Sequence, residues 1–360
     1  MEKPTVLGYM RDQPRALRDC FNRREEFLKP FRQFYSADIK KIYFFGSGTS
    51  YNASLIGAYY FRHLVGINAF GEYPTVFKNY GEVDYVDAVD PKEVLFLAIS
   101  QSGTSISTID VIKDAKDKGY RRIVLTEALQ SEITKHTDGV LHLLCGKELT
   151  PPETRGYTVT LLTLYLLALE AAKIRGKLSK SYYDKKILEC GDLLSKFESV
   201  IAESEAWYQR NKTFLVSSER IYVLGYGIDY GSALEGQLKI GEMLRIPALA
   251  YEIEEYSHGP TMAINGKQSL IMIASKEAEF ERCLTFRDAF LQYTPRVFLI
   301  SCEDVGDDLR NVIFSLKADK YLAPLLYTVP MQFVAAQGAL DTGIDTGINP
   351  FTVPLAHLDE

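Results

Sequence analysis

Leu95-Phe96-Leu97-Ala98-Ile99-Ser100-Gln101-Ser102-Gly103-Thr104-Ser105 is an apolar run that ends in a turn of hydroxyls, followed by Ile106, Ile109, Val111 and Ile112 at helical spacing. It reads as buried strand, polar turn and helix N-terminus. There the first helical amides lack partners within the helix and the macrodipole is positive, so the turn favours an anion. Hydroxyls of Ser100, Ser102, Thr104 and Ser105 add donors, and Gly103 lets a ligand approach the backbone closely. A phosphate is the natural guest, although an ordinary Ser/Thr N-cap in an α/β sheet has the same composition.

Upstream, Lys41-Ile42-Tyr43-Phe44-Phe45 runs into Gly46-Ser47-Gly48-Thr49-Ser50-Tyr51 and a helical stretch to His63, a second strand, glycine turn and helix start. Tyr51 stands where the dinucleotide fingerprint needs its third glycine, so a dinucleotide cofactor is not expected. Further strands at 69–73, 92–100 and 121–126, with helices between them, imply a doubly wound parallel sheet. The pattern then restarts. Ile42 to Gly48 matches Ile221-Tyr222-Val223-Leu224-Gly225-Tyr226-Gly227 at an offset of 179, and Leu95 to Ser100 matches Leu270 to Ser275 at 175. Arg122-Ile123-Val124-Leu125 matches Arg296-Val297-Phe298-Leu299. Three matches in one order at nearly one offset indicate two tandem α/β domains of flavodoxin-like type. The second copy has Ser-Lys-Glu-Ala-Glu-Phe at 275–280, so only the first carries a recognisable anion turn.

The expected divisions are a helical arm over 1–38, starting near Met10–Pro14, a first domain over 39–175 and connecting helices over 176–213. A second domain over 214–340 and a tail over 341–360 near the active site complete the chain. Helical stretches are expected at 158–175 and 181–213. A length of 360 residues suits two cores better than one. A net charge of −6 with no dense basic face argues against nucleic acid as a partner. Five scattered cysteines without CxxC spacing suggest free thiols in a reducing compartment. The apolar run Val159 to Ala172 falls short of the ~20 residues a membrane span needs, so a buried helix and a cytoplasmic protein are expected.

In the second copy, helical spacing sets Glu235, Lys239 and Glu242 on one face, and the acidic segment Glu252, Glu254, Glu255 leads to His258-Gly259-Pro260. Alone, the first is as readily a solvated charge stripe, and the second a structural bend.

Gly48-Thr49-Ser50-Tyr51, Ser100-Gln101-Ser102-Gly103, Ala233-Leu234-Glu235-Gly236 with Lys239 and Glu242, and His258-Gly259-Pro260, in this order, resemble the sugar isomerase (SIS) domain family. Within it the chain is similar to the isomerase half of glucosamine-6-phosphate synthase and to the Amadori-product deglycases. The resemblance implies that Gly48, Thr49, Ser50, Ser100, Gln101, Ser102, Thr104 and Ser105 hold a sugar phosphate. It implies that Glu242 moves a proton at C1 or C2, with Glu235 and Lys239 shaping its pKa and binding the sugar or its amine. His258 would open the ring or protonate the leaving group, in a homodimer or higher homo-oligomer with shared sites. Such chemistry needs a carboxylate and an acid rather than a metal or nicotinamide.

Two departures guide the expected reaction. Glucosamine-6-phosphate synthase has an N-terminal glutaminase domain, which this sequence lacks, so ammonia from glutamine is not expected. The synthase also sets a lysine near its C-terminus over the sugar, whereas the last lysine here is Lys320. Both favour a deglycase that splits fructoselysine or glucoselysine 6-phosphate into hexose 6-phosphate and free amine. The alternatives are an amino-sugar-phosphate isomerase or deaminase and a non-catalytic sugar-phosphate sensor, which would not need Glu242 and His258.

Overall fold

The computed structural model describes residues 5–83, 89–353 and 355–357. The chain forms two compact units, one of residues 15–147, 156–191 and 350–360, the other of residues 1–14, 148–155 and 192–349.

The chain opens with helices α1 (Val6–Asn22) and α2 (Glu25–Phe34). In the first unit, strands β1 (Lys41–Phe45), β2 (Asn68–Glu72), β3 (Val94–Ile99), β4 (Arg121–Thr126) and β5 (Gly139–His142) form a parallel sheet of order β2-β1-β3-β4-β5. Helices α3 (Thr49–Tyr60), α4 (Pro74–Tyr80) and α5 (Ile106–Asp117) connect the first four strands. One face of the sheet buries Tyr43, Phe45, Phe96, Ala98 and Val124 against Ile109 and Ile112 of α5. Helix α6 (Arg155–Ile174) is apolar enough to pass for a membrane span, but 89% of its most apolar window is buried, which makes it a core helix.

Helices α7 (Lys180–Ser195) and α8 (Glu198–Val216) lead to the second sheet, of β6 (Arg220–Gly225), β7 (Ala248–Glu252), β8 (Gln268–Ala274), β9 (Val297–Ser301) and β10 (Val312–Ile313). Its order is β10-β9-β8-β6-β7, the first sheet's topology repeated. Helices α9 (Ile228–Met243), α10 (Ile253–Ser257) and α11 (Phe280–Leu291) punctuate these strands, and α12 (Ala323–Asp341) follows them. Helix α12 is buried along most of its length and packs on α8 and α9. A Cβ on Gly236 would lie 2.2 Å from the Met331 sulfur, so glycine is what lets α9 and α12 meet this closely.

The two glycine turns share their backbone. Gly48 has φ 57° and ψ −129°, and Gly227 has φ 56° and ψ −121°. A Cβ on Gly46 would lie 2.6 Å from the Ser50 backbone, and one on Gly225 equally close to that of Asp229. In each copy one glycine supplies the positive φ and the other the close approach of strand to helix.

Four expectations are corrected. Two of the sequence matches slip by one residue. Ile42 pairs with Leu95 while Ile221 pairs with Ser269, so the counterpart of Leu95 is Ser269, not Leu270. Likewise Leu97 pairs with Ile123 and Ile271 with Phe298, which makes Phe298, not Val297, the counterpart of Ile123. Strands buried on both faces carry no period-two signal to fix such a register.

Helix α1 starts at Val6 and contains Pro14 rather than beginning there. Proline leaves the Met10 carbonyl without its helical donor, and the Gln13 side-chain amide donates to it at 3.0 Å. The stretch expected over 181–213 is two helices separated at Lys196-Phe197, where Lys196 N–H donates to Leu193 O and Ser199 N–H to Lys196 O. No glycine or proline marks that break. Helix α6 also begins at Arg155, three residues before the expected start at 158.

Candidate functional site

In the first unit, the turn from β3 into α5 is built from its own hydroxyls. Ser100 Oγ accepts from Gly103 N–H at 3.2 Å, Ser102 Oγ accepts from Thr104 N–H at 3.3 Å, and Ser102 and Thr104 hydroxyls pair at 2.9 Å. Ser105 precedes the first residue of α5 and accepts from Thr108 Oγ1 at 3.2 Å. Gly103 has φ +70°, and a Cβ there would collide with Ser131 Oγ at 1.8 Å, so the turn requires glycine.

The β1 and β3 turns meet through Ser47 and Ser107, whose hydroxyls pair at 3.2 Å. Neither residue stood among the expected ligands, yet their positions, inside the first turn and in the first turn of α5, were the available signal. Thr49 and Ser50 open α3, half-buried, behind Gly48. Two helix N-termini and the hydroxyls before them thus border one region, an arrangement suited to an anion. Gln101 is placed differently. Its side-chain amide packs on the start of α6, where a Cβ on Gly156 would lie 2.1 Å from Oε1.

The second unit carries the titratable groups. On α9, the Lys239 ammonium lies 3.6 Å from Glu235 and 2.8 Å from Glu242. Glu235 and Lys239 are fully buried, whereas the Glu242 side chain keeps 38% of its exposure. Burial alone would push the lysine pKa down, but Glu235 and then Glu242 outweigh it and hold Lys239 above the usual range. The expected face is therefore a buried ion cluster with one exposed carboxylate, not a solvated stripe.

Sequence reading missed a fourth member. Burial raises the Glu153 carboxyl to about 7, against the lowering effect of Lys239 and with added repulsion from Glu148, Glu235 and Glu242. A carboxyl raised toward neutrality and repelled by Glu242 suits general acid–base work. Its loop is anchored within the same unit. Glu148 accepts from Thr154 N–H and Oγ1, Arg155 pairs with Asp12 at 2.7 Å, and Leu149 N–H donates to Tyr9 Oη. Gln332 bridges Gln13 and the Thr154 carbonyl. Nothing in the composition of a Pro-Pro-Glu loop announces that role.

His258 is exposed at the C-cap of α10, followed by Gly259 at φ +143°. It lies beside Glu254, whose carboxyl is lowered chiefly by its hydrogen bond from Arg282 and further by His258. The acidic run is engaged locally, with Glu252 accepting from Glu255 N–H and Glu254 paired to Arg282 at 2.6 Å.

The second copy's own turn has a different occupant. Asp229, in the first turn of α9, accepts from Ser275 N–H and Ser275 Oγ, each at 2.8 Å, and is almost wholly buried. A carboxylate of the chain thus uses the donors that follow β8. Burial raises this carboxyl to about 7. A carboxyl that holds its proton more tightly folded than unfolded stabilises the fold at low pH and loses that contribution as pH rises through its folded value. Asp229→Asn, which imitates the protonated acid, is expected to flatten the fall in stability between about pH 4 and 7, read from urea midpoints across that range. An unchanged slope would remove Asp229 as its source.

Comparison with known proteins gives a consistent answer. The SIS domain family model matches residues 36–170 and 214–293, well over half of the chain. The glutamine–fructose-6-phosphate aminotransferase (isomerizing) of Clostridium tetani is 28% identical over 351 residues, which cover 94% of this chain and 56% of that protein. The chain thus spans a little over half the length of the curated relatives it matches. Among solved structures, a protein from Clostridium difficile 630 assigned as a phosphosugar isomerase superposes with TM-score 0.88 at 29% identity, covering 97% of each chain. The C-terminal domain of glucosamine-fructose-6-phosphate aminotransferase from Francisella tularensis superposes with TM-score 0.83 at 21% identity, covering 96% of this chain and 98% of that one, a likeness of fold. With its duplicated parallel sheets and the family model spread across both, the chain belongs to the SIS domain family.

Proposed function

We propose that this SIS-family enzyme is a phosphosugar deglycase, splitting a 6-phosphorylated sugar–amine adduct such as fructoselysine 6-phosphate into hexose 6-phosphate and free amine. The observation that carries the reading is the Glu235–Lys239–Glu242 cluster, in which a permanently charged lysine flanks a carboxylate that solvent still reaches. The hydroxyl turn of residues 100–105 would hold the phosphate. Glu242 would remove a proton from C1 of the open-chain ketose and return it to C2 while the amine N–H proton passes to the C2 oxygen, converting the amino-ketose into an imine at C1 with a hydroxyl at C2. Water then adds across C1=N, the C1–N bond breaks and the amine leaves with a proton. His258 would open the ring or supply that proton, and Glu153 is a second carboxyl able to exchange one.

The amino-sugar-phosphate isomerase or deaminase reading is kept because the curated relatives are aminotransferases of the isomerizing kind. The same residues would serve it. We also infer a cytoplasmic homo-oligomer, in keeping with five buried free cysteines.

The test is a substrate panel. Purified protein given fructoselysine 6-phosphate should release lysine and glucose 6-phosphate in equal amounts, with glucosamine 6-phosphate turned over at least about a hundredfold more slowly. Turnover of glucosamine 6-phosphate with no release from any adduct would replace the deglycase by the second reading.

A further inference from the structure

The segment at residues 355–357 lies on the hydroxyl turn of the first unit. Ser105 and His357 form an antiparallel bridge, Ile106 N–H donates to Ala356 O at 3.2 Å, and His357 Nδ1 is 3.5 Å from Thr104 Oγ1. The chain's own backbone thus takes the first amide of α5 and thereby sets an imidazole at the rim of the turn.

The charge of the turn gives that placement a purpose. Every side chain from Ser47 to Ser50 and from Ser100 to Ser107 is uncharged. A phosphate monoester carries nearly two negative charges at neutral pH, and a helix N-terminus answers with about half a positive one. Two such termini with neutral hydroxyls orient the ester but leave about half of its charge unmatched. Histidine is the side chain that gains a full positive charge close to neutrality, and a neighbouring dianion favours its protonated form.

We propose that His357 is a phosphate-binding residue, supplying as imidazolium the cation that the hydroxyl turn lacks, so that phosphate-ester affinity depends on its protonation. Thr104 and Ser105, the residues it meets, are not ionisable, nor is Ile106, which bonds the neighbouring Ala356. On α5 the first charged side chain is Asp110, which Lys78 engages at 3.4 Å. The proposal rests on the assignment of the turn as the phosphate site.

Binding of glucose 6-phosphate to the full-length protein, measured by titration calorimetry at pH 6.0 and 8.5, tests it. At each pH the comparison is variant against wild type, which cancels the titration of the ester itself. His357→Gln should bind about tenfold more weakly than wild type at pH 6.0 and within about twofold of it at pH 8.5. His357→Lys should match wild type at pH 6.0 and exceed it at pH 8.5. An equal loss in His357→Gln at both pH values would mean that the imidazole only holds the segment in place, which overturns the proposal. So would wild-type affinity in His357→Gln at pH 6.0 while Ser102→Ala still binds poorly. If Ser102→Ala and His357→Gln both bind as wild type, the phosphate assignment of the turn fails, and the inference fails with it.

Discussion

Replacing Glu242 with glutamine is expected to lower turnover of a 6-phosphorylated Amadori adduct by about a thousandfold, while glucose 6-phosphate binding stays within about threefold of wild type. A positioned general base contributes roughly 10²–10⁴ to a proton transfer, and an amide of the same shape cannot accept the proton. The substitution leaves the cluster otherwise intact, because Lys239 retains Glu235 at 3.6 Å. A side chain with 38% of its exposure left tolerates the loss of charge without strain on α9. Steady-state kinetics on the adduct, with product binding measured in parallel, separates the two effects. Retained turnover would take Glu242 out of the reaction, and a parallel loss of binding would make its role one of substrate recognition.

Lys239→Met should destabilise the second unit by about 3–5 kcal/mol, because Glu235, in a fully buried site, loses the ammonium 3.6 Å away and must either hold an uncompensated charge or take up a proton. Glu242 reaches solvent and adds little to that cost. The double variant Glu235→Leu, Lys239→Met should recover most of the stability, as replacing a buried pair by apolar side chains often does, yet remain inactive. Urea unfolding of the single and double variants reads both outcomes. A single variant as stable as wild type would mean that the cluster is hydrated, contrary to its burial.

The duplicated architecture was legible because the glycine turns repeat with their geometry. Gly46 and Gly225 are compelled by close backbone contacts, and Gly48 and Gly227 by nearly identical positive φ, so few other residues serve. The faces of the strands were not legible. Leu95–Ile99 and Leu270–Ala274 are apolar and buried at every position, and a one-residue slip between them costs nothing in sequence similarity while exchanging the two faces of the strand. On α9 the spacing of Glu235, Lys239 and Glu242 foretold their meeting, whereas the depth at which they meet depends on α12, packed against Gly236 more than ninety residues later. The roles of Glu153 and His357 were not legible for a related reason. Each reaches its neighbours from a loop or terminal segment whose path no local periodicity encodes, and Ser107 looked like one more polar residue on a helix surface.

The central claim is that amine loss is driven by breaking a C–H bond at C1. Fructoselysine 6-phosphate carrying two deuterium atoms at C1 should yield glucose 6-phosphate with one deuterium left at C1, read by NMR and mass spectrometry of the product. Retention of both deuterium atoms, which direct displacement of the amine by water would give as fructose 6-phosphate, would contradict it.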